Sequence, residues 1–492
     1  MTVRTRFAPS PTGFLHIGGV RTALFNYLYA KRHGGQFLLR IDDTDQARHV
    51  EGAVELILEG FRWMGMQWDE GPEVGGPYGP YYQAQRSAVY EKALEELIAA
   101  GAAYPCLATD KELDALRQVA KASKVPFVYR GPTRDLPPDE VLAMWKEKKP
   151  ALRFKVPLGK TTKLADHVRG DVEWQTDLLG DFTLTRAGGH PLYNFVSIVD
   201  DVAMKITHII RAEEHLSNTH PQLLIAQALS ATLPEFAHVP YVAKTGTKEK
   251  ISKRDKAARF QMYVEEGYLS DALFNALARL GWSLDDHTEV MSRETIVSNF
   301  SLDRITNSPG ALDPDKLFWF QDQHMRLLPV SERVEKMIPF LRSAGLVGAE
   351  LSADDKAKLA QIVEAAGDRL KVLGDIVRYA DYLFRETAAF DAKAAKTLQG
   401  PDALKQLEAL KNALEARNPF DVPSIESAAH AVGQELGVGG KINHVLRAAA
   451  TGRSVGAGVY DCIAILGKKK TLANFAKAEA AIASNEFPLI PE

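Results

Sequence analysis

His16 is the residue of this sequence whose surroundings point most directly to chemistry. It follows a turn rich in proline and glycine at residues 9–13, and Gly18 and Gly19 come shortly after it. Apolar residues then recur at helical spacing up to the glycines at residues 34–35. A helix that begins after such a turn presents unpaired N–H groups and the positive end of its dipole. The pattern predicts a polyphosphate site beside His16, whose alternative role is that of a helix cap.

A second candidate for phosphate chemistry is the basic sequence Lys-Ile-Ser-Lys-Arg at residues 250–254, which contains Lys250 and Lys253. The residues around it have little apolar periodicity, so they are expected to form a loop. A lysine-rich loop is usually a solvated surface segment. It gains significance from the site predicted at His16, because phosphate chemistry requires positioned cations.

The elements that position these residues can be read from the first 45 residues. A short strand, the turn, the helix and a second buried strand at residues 37–41 form a strand–turn–helix–strand unit. This unit is one half of a doubly wound nucleotide-binding fold, in which ligands bind beyond the carboxyl ends of the strands, where Asp42 falls. Neither the Gly-x-Gly-x-x-Gly pattern nor a Walker loop occurs at this turn. The predicted fold class is α/β with a Rossmann-type core.

The two motifs together resemble the signature motifs of class I aminoacyl-tRNA synthetases. Further segments are similar, in the same order, to the bacterial glutamyl branch of that family, namely residues 39–45, 69–72, 191–195 and 210–215. The resemblance implies that L-glutamate is attached to tRNA(Glu) in two ATP-dependent steps. Glutamyl-adenylate would be the intermediate, and AMP and diphosphate would be released.

The resemblance also implies roles for individual residues at the nucleotide. Attack of an amino-acid carboxylate on the α-phosphate of ATP builds negative charge, which positioned cations and dipoles stabilise. The implied catalytic residues are His16, Lys250 and Lys253. The implied ATP-binding residues are His16, Gly18, Gly19, Glu214 and Lys253. Mg²⁺ is expected to assist the departure of pyrophosphate.

The implied glutamate-binding residues are Arg6, Ser10, Asp42, Tyr193 and Arg211. An acidic amino acid offers two carboxylates and one ammonium, which call for an arginine fork, an acid and hydroxyl groups. Arg211 is the candidate reader of the side-chain carboxylate, although an Arg-Ala-Glu-Glu run alone is typical of a solvated helix face. Asp42 departs from the glutamate found in most bacterial members. Its alternative role is that of a helix N-cap.

Cysteine usage argues against a thiolate zinc site. Cys106 and Cys462 are the only cysteines in the sequence, and the cysteine cluster of some bacterial members is absent. No zinc is therefore expected, and no disulfide framework is indicated.

The motifs and the composition suggest a domain organisation. Residues 1–330 would hold the catalytic region, with an acceptor-end module inserted at about 81–185 and stem-contact helices at about 256–325. Residues 331–492 are rich in Ala, Leu, Lys and Glu with helical periodicity, which predicts an all-α region. By resemblance, this would be the anticodon-binding region.

Length and charge bound the class of protein. The chain has 492 residues, 46% of them hydrophobic, and a formal net charge of −3. This charge neither supports nor excludes tRNA binding, which depends on local patches. A signal-peptide core and an apolar run of membrane-spanning length are both missing, so a cytoplasmic protein without a membrane partner is expected. A monomer is expected from the family.

Two other functions fit the same sequence. The nearer is an enzyme of the same chemistry that charges tRNA(Gln) with glutamate, either as well as tRNA(Glu) or instead of it. The more distant is an RNA-binding paralogue that has lost catalysis, against which the intact His16, Lys250, Lys253 and Arg211 argue.

Overall fold

The computed structural model describes residues 2–45, 50–252, 255–385 and 389–490, without the side chain of Lys256. Over these residues the chain divides into two units. The first comprises Met1–Met262 and Ser270–Leu317, and the second comprises Tyr263–Leu269 and Phe318–Glu492. The first unit thus ends before residue 330, the predicted limit of the catalytic region.

The strands lie in the first unit and are short. In chain order they are β1 (Arg4–Phe7), β2 (Gln36–Leu39), β3 (Ala103–Pro105), β4 (Leu152–Phe154), β5 (Thr161–Asp166), β6 (Gly170–Gln175), β7 (Thr183–Thr185), β8 (His208–Ala212), β9 (Glu235–Val239), β10 (Val242–Lys244) and β11 (Gly310–Leu312).

Helices alternate with these strands and then continue alone. Up to residue 327 they are α1 (Ile17–Arg32), α2 (Ala53–Trp63), α3 (Ser87–Ala99), α4 (Asp110–Ala122), α5 (Pro138–Lys148), α6 (Tyr193–Ala203), α7 (Leu216–Ala228), α8 (Phe260–Glu266), α9 (Ser270–Ala278), α10 (Arg293–Asn299) and α11 (Pro314–Leu327). The later ones are α12 (Val330–Ser343), α13 (Ala353–Ala366), α14 (Ile376–Phe384), α15 (Ala392–Leu398), α16 (Ala403–Glu415), α17 (Val422–Glu435), α18 (Ile442–Thr451) and α19 (Val459–Ser484).

The main sheet has the strand order β2-β1-β8-β9-β5-β6. Neighbours from β2 to β5 are parallel, and β6 returns antiparallel to β5 as a hairpin. The carboxyl ends of β1, β2, β8 and β9 therefore lie along one edge of the sheet, where doubly wound folds bind their ligands. The predicted strand–turn–helix–strand unit and the α/β class are confirmed.

Helix α1 forms where the apolar spacing predicted it. Ile17, Val20 and Leu24 are fully buried, and the helix packs against β1, β2 and β8. It ends at Arg32, just before the two glycines. Gly34 has a φ of 59°, and a Cβ atom on Gly35 would lie 2.2 Å from the carbonyl oxygen of Val3. The first glycine reverses the chain, and the second admits the close approach of β1.

The segment predicted as an insertion, residues 81–185, builds two different structures. Strands β3, β4 and β7 form a separate antiparallel sheet, against which α3 and α5 pack. The β5–β6 hairpin, in contrast, extends the main sheet through β9. Part of this segment therefore belongs to the nucleotide-binding core.

Residues 256–325 are not uniformly helical. They include α8, α9, α10 and most of α11, but β11 interrupts them and pairs parallel with β10. Pro309 and Pro314 flank β11, and a proline ring is incompatible with the interior of a helix. The two prolines explain why this stretch is extended.

The second unit is built from helices over its described residues, so the predicted all-α region is confirmed. Its helices end near the breaks that the sequence predicts, with α15 ending at Leu398, α17 at Glu435 and α18 at Thr451. One further break lies inside α19, where Gly467 has a non-helical φ of 76°.

Candidate active site

A cavity of about 660 Å³ opens at the carboxyl edge of the main sheet. It lies where β1, β2 and β8 end and where α1 begins. Most of the residues that the sequence singled out line it together: Arg6, His16, Gly18, Gly19, Asp42, Tyr193, Arg211, Glu214 and Lys250. Because these residues are spread from position 6 to position 250, the fold alone brings them into one site.

The start of α1 is arranged to meet an anion. His16 is the N-cap residue of the helix, with extended backbone angles, and its Nδ1 accepts the N–H of Gly18 at 3.0 Å. Since Nδ1 is the acceptor, the ring proton of neutral His16 resides on Nε2, which is then a donor. The capping role that the sequence offered as an alternative is therefore real, and it fixes the tautomer suited to a phosphate oxygen.

Gly18 leaves room for this imidazole. A Cβ atom on Gly18 would lie 3.2 Å from Nδ1 of His16, closer than side chains normally pack. A larger residue would force the ring to move. Gly18 therefore keeps both the helix N-terminus and the histidine accessible to a ligand.

A buried network of arginines and aspartates forms the floor under β1 and β2. Arg40 is fully buried and contacts Asp42 at 2.7 Å and Asp201 at 2.8 Å. Arg6 donates to the same Asp201 from Nε at 3.0 Å and from Nη2 at 3.2 Å. Asp200 accepts from Arg86 at 2.6 Å. Three arginines thus alternate with three aspartates, which is how buried charges are tolerated.

The network gives its carboxylates different proton affinities. Burial alone would raise the pKa of Asp201, but the guanidinium groups of Arg6 and Arg40 hold it below its ordinary value. Burial dominates at Asp42 and raises its pKa to about 6 despite the contact with Arg40. Because this folded-state pKa exceeds the ordinary 3.8, the stability that Asp42 contributes is present at low pH and is lost as the pH rises through about 6.

Replacing Arg40 with methionine is expected to lower the free energy of unfolding by about 3–5 kcal/mol, because Asp42 loses its cation and Asp201 loses one of two. Urea denaturation measures this. Arg62→Met is the control, since Arg62 pairs with Glu73 at the surface and is 49% exposed. That variant is expected to lose less than about 1 kcal/mol. A loss at Arg40 no larger than at Arg62 would contradict a structural role for the network.

Arg211 differs from the other arginines of the site because it has no acidic partner among the described side chains. Its Nε contacts Nε2 of His238 at 3.1 Å, and its Nη2 donates to Oγ1 of Thr219 at 2.8 Å. Its Nη1 is buried without a hydrogen-bond partner in the described part of the chain. Burial lowers the pKa of Arg211 to about 10, so the group remains cationic at neutral pH. A buried cation left with an unused donor is suited to receive a carboxylate.

Tyr193 stands beside this cation at the start of α6. It is 40% exposed, and its hydroxyl lies 3.2 Å from Nδ1 of His215. Burial, together with the nearby charge of Arg211, lowers the pKa of His215 to about 4. A neutral His215 therefore accepts the Tyr193 proton and orients that hydroxyl.

Lys250 and Glu214 meet each other at the cavity wall. Nζ of Lys250 donates to Oε2 of Glu214, and both side chains are 51% exposed. The loop that carries Lys250 is anchored, because Lys250 bridges to Ala243 of β10 and Ile251 donates to Val242. An exposed pair of this kind contributes little stability, so a phosphate group can replace Glu214 as the partner of Lys250.

Two predicted residues are not found in the cavity lining. Ser10 is exposed in the turn before α1 and does not line the cavity. Lys253 lies outside the described residues. The N-cap alternative for Asp42 is not supported either, because the next described helix, α2, begins at Ala53 after Gly52.

Sequence reasoning assigned no role to several residues of the site. His215, Tyr241 and Arg21 line the cavity, and Asp166 and His238 support Arg211 from behind it. His215 was within a recognised segment, and a histidine next to two glutamates is a visible signal. Asp166 and His238 had no such signal, because they lie 72 positions apart.

Among the described residues, one group of side chains is spaced for a metal ion, and it lies away from the cavity. His167, His208 and Glu235 offer ligand atoms within 4.8 Å of one another. His208 and Glu235 begin β8 and β9, whereas the cavity lies where these strands end. The three side chains already pair, with His167 Nε2 2.6 Å from Glu235. Cys106 and Cys462 are free and do not belong to this group.

The cavity therefore combines three chemical capacities. The start of α1 with His16 and Lys250 can bind a polyphosphate, Arg211 can bind a carboxylate, and Asp42 can bind an ammonium group. No helix among the described residues is long and apolar enough to cross a membrane.

Comparison with known proteins gives matches over nearly the whole chain. The family model described as tRNA synthetases class I (E and Q), catalytic domain, matches residues 2–319. A model of an anticodon-binding domain matches residues 332–478. The two matches meet close to the boundary that the sequence predicts between the catalytic and helical regions.

Similar proteins carry one activity in their names. The glutamate–tRNA ligase of Roseiflexus castenholzii is 39% identical, covering 98% of this chain and 97% of the relative. That of Desulforamulus reducens is 40% identical, covering 98% and 100%. The crystal structure of a glutamate tRNA ligase from Elizabethkingia meningosepticum in complex with its amino acid has a TM-score of 0.80 and 34% identity, covering 98% of this chain and 100% of that one.

Proposed function

This chain belongs to the class I tRNA synthetases (E and Q) and catalyses the attachment of glutamate to tRNA, and we propose that it does so in two steps within the cavity described above. In the first step, the α-carboxylate of glutamate attacks the α-phosphate of ATP, giving glutamyl-adenylate and pyrophosphate. In the second, a hydroxyl of the terminal ribose of tRNA attacks the activated carbonyl, and AMP leaves. The observation that carries the proposal is the buried, unpaired guanidinium of Arg211 beside a helix N-terminus suited to phosphate.

The substrate fits the site from both ends. Arg211 receives the side-chain carboxylate, Tyr193 donates to a carboxylate oxygen, and Arg6 adds positive charge near the α-carboxylate. Asp42 faces the ammonium group. Ser10 is a weaker member of this set, because its exposed position requires the turn at residues 9–13 to move toward the substrate.

ATP lies with its phosphates at the start of α1. His16 Nε2–H and the helix N-terminus stabilise the negative charge that grows in the transition state. Lys250, and Lys253 by its place in the motif, add cations on the pyrophosphate side. Glu214 contacts the ribose or adenine region once Lys250 has turned to the phosphates.

Mg²⁺ is compatible with the cavity. Among the described carboxylates of its lining, Asp42 is engaged with Arg40, and Glu214 is exposed. Mg²⁺ is held mostly by substrate phosphates and water with one or two carboxylates, so Glu214 and ATP together are a suitable donor set. When bound, the ion neutralises charge on the phosphates.

The partner, assembly and location follow the family. We assign tRNA(Glu) as the preferred tRNA, with the helical second unit contacting the anticodon arm. A monomer and a cytoplasmic location are proposed on the same grounds.

Charging with labelled glutamate tests the function. Unmodified transcripts of tRNA(Glu) and tRNA(Gln) are compared side by side, with a control lacking tRNA and one with glutamine. Charging of tRNA(Glu) alone supports the proposal as stated. Charging of tRNA(Gln) would replace it with a non-discriminating or tRNA(Gln)-directed enzyme. Absence of charging, and of ATP–pyrophosphate exchange in the presence of tRNA, would indicate a non-catalytic RNA-binding protein.

The role of Asp42 predicts a pH dependence. As the pH falls from 7 to 5, Asp42 takes up a proton with a pKa of about 6 and loses the charge that binds the substrate ammonium. The KM for glutamate is expected to rise about tenfold between pH 6 and 5. Asp42→Asn is expected to have a high KM that no longer changes over this range. An unchanged pH profile in that variant would locate the titration elsewhere.

A further inference from the structure

We propose that His238, held by Asp166, is a positioning residue that fixes Arg211 for a carboxylate and leaves its positive charge unspent. The inference rests on the proposed function, because it specifies how the same site recognises the side chain of glutamate. It concerns residues behind the cavity, which do not touch the substrate.

The Asp166–His238 pair is completely enclosed. Both side chains have no exposed surface, and Oδ2 of Asp166 lies 2.6 Å from Nδ1 of His238. Asp166 also accepts the backbone N–H groups of Val168 at 3.0 Å and Arg169 at 2.9 Å, and that of His238 at 3.1 Å. With this many donors, the carboxylate has a fixed position at the end of β5.

The contacts determine the protonation state of the imidazole. Burial would raise the pKa of Asp166, but its hydrogen bonds with His238 and the backbone hold it below its ordinary value. Asp166 is therefore an ionised acceptor, and Nδ1 of His238 carries a proton. Burial, with Arg211 and Arg169 nearby, lowers the pKa of His238, so its Nε2 has a lone pair at neutral pH. Arg211 has only donors, and its Nε–H points to this lone pair.

The geometry holds the guanidinium at two of its nitrogens. Nε is bound by His238 and Nη2 by Oγ1 of Thr219, while the ring of Phe236 lies 5.6 Å from the guanidinium carbon. Nη1 remains without a partner among the described residues. The position and orientation of the free nitrogen are thus set before any substrate arrives.

The choice of a neutral acceptor has a consequence for specificity. A carboxylate behind Arg211 would hold it as firmly but would neutralise it, and the site would then accept an amide as readily as an acid. Histidine separates the guanidinium from the charge of Asp166 by the width of the ring. The guanidinium keeps its electrostatic preference for a carboxylate over the amide of glutamine.

Two substitutions of His238 separate its two contacts. The amide of asparagine replaces Nδ1 and keeps the contact with Asp166, whereas the amide oxygen of glutamine replaces the acceptor at Nε2. In tRNA charging, His238→Asn is expected to raise the KM for glutamate roughly 10- to 100-fold, with the KM for ATP changed less than about twofold. His238→Gln is expected to recover most of this loss. His220→Asn is the control, because His220 is a buried histidine outside the cavity lining.

Several outcomes would overturn the proposal. These are an unchanged KM for glutamate in His238→Asn, an equal rise for ATP, no recovery in His238→Gln, or the same change in His220→Asn. If His238→Asn does not fold, Thr219→Val is measured instead, because it removes the contact to Nη2 at nearly constant volume. An unchanged glutamate KM in that variant would also overturn the proposal. Failure of the unmodified protein to charge glutamate would instead refute the proposed function.

Discussion

Replacement of Arg211 by methionine is expected to lower kcat/KM for glutamate by about 10²- to 10⁴-fold, equivalent to about 3–5 kcal/mol. The cause is the loss of a buried cation that has no acidic partner within the described protein and is matched only by the substrate. The methionine side chain fills much of the same volume, so Asp166 and His238 remain enclosed. Steady-state charging at varied glutamate, with ATP and tRNA saturating, measures the loss.

Two comparisons show whether the loss concerns the carboxylate. Arg211→Lys keeps the charge without the fork, and it is expected to lie between the two extremes. Asp42→Glu keeps a carboxylate facing the ammonium group, and it is expected to change kcat/KM far less than Arg211→Met. Equal and small effects for Arg211→Met and Asp42→Glu would remove Arg211 from the substrate site.

Replacement of His16 by asparagine is expected to slow adenylate formation by about 10²- to 10³-fold while the KM for glutamate changes little. Asparagine is a good N-cap residue, so its amide oxygen can accept the Gly18 N–H in place of Nδ1. What it lacks is the donor at the position of Nε2. The variant thus removes the phosphate contact and keeps the helix start intact. ATP–pyrophosphate exchange in the presence of tRNA measures the step.

His16→Ala completes the comparison, because it removes both the cap and the donor. Its unfolding free energy is expected to fall by about 1 kcal/mol, which His16→Asn retains. If the two variants are equally slow but differ in stability, the two roles of His16 are separate. A defect confined to the KM for glutamate would move His16 out of the phosphate site.

Local sequence was sufficient for the parts of the site that depend on neighbouring residues. The start of α1, its end before Gly34 and the strand β2 follow from periodicity, capping and glycine placement within 40 residues. The predicted roles of Arg6, Asp42, Tyr193 and Arg211 came from the family resemblance. The cavity lining agrees with that set except for Ser10, whose position depends on the conformation of a turn.

The supporting contacts could not be predicted, because tertiary packing alone creates them. Arg40 lies next to Asp42 in sequence, but its other partner, Asp201, is 161 positions away. Asp166 meets His238 only because β5 pairs with β9. The sequence around each of these residues is that of an ordinary strand or helix. The role of β11 was missed for a different reason, since its flanking prolines were outweighed by the helical pattern around them.

The β5–β6 hairpin limits how freely the inserted segment can be exchanged between proteins. It lies in the middle of residues 81–185, yet Asp166 at the end of β5 secures His238 and, through it, Arg211. A chimera that imports the whole segment from a donor with a different hairpin would carry foreign tRNA contacts and lose amino-acid recognition at the same time. The transplantable part therefore consists of two separate pieces, one on each side of residues 161–175, and the host must supply the hairpin.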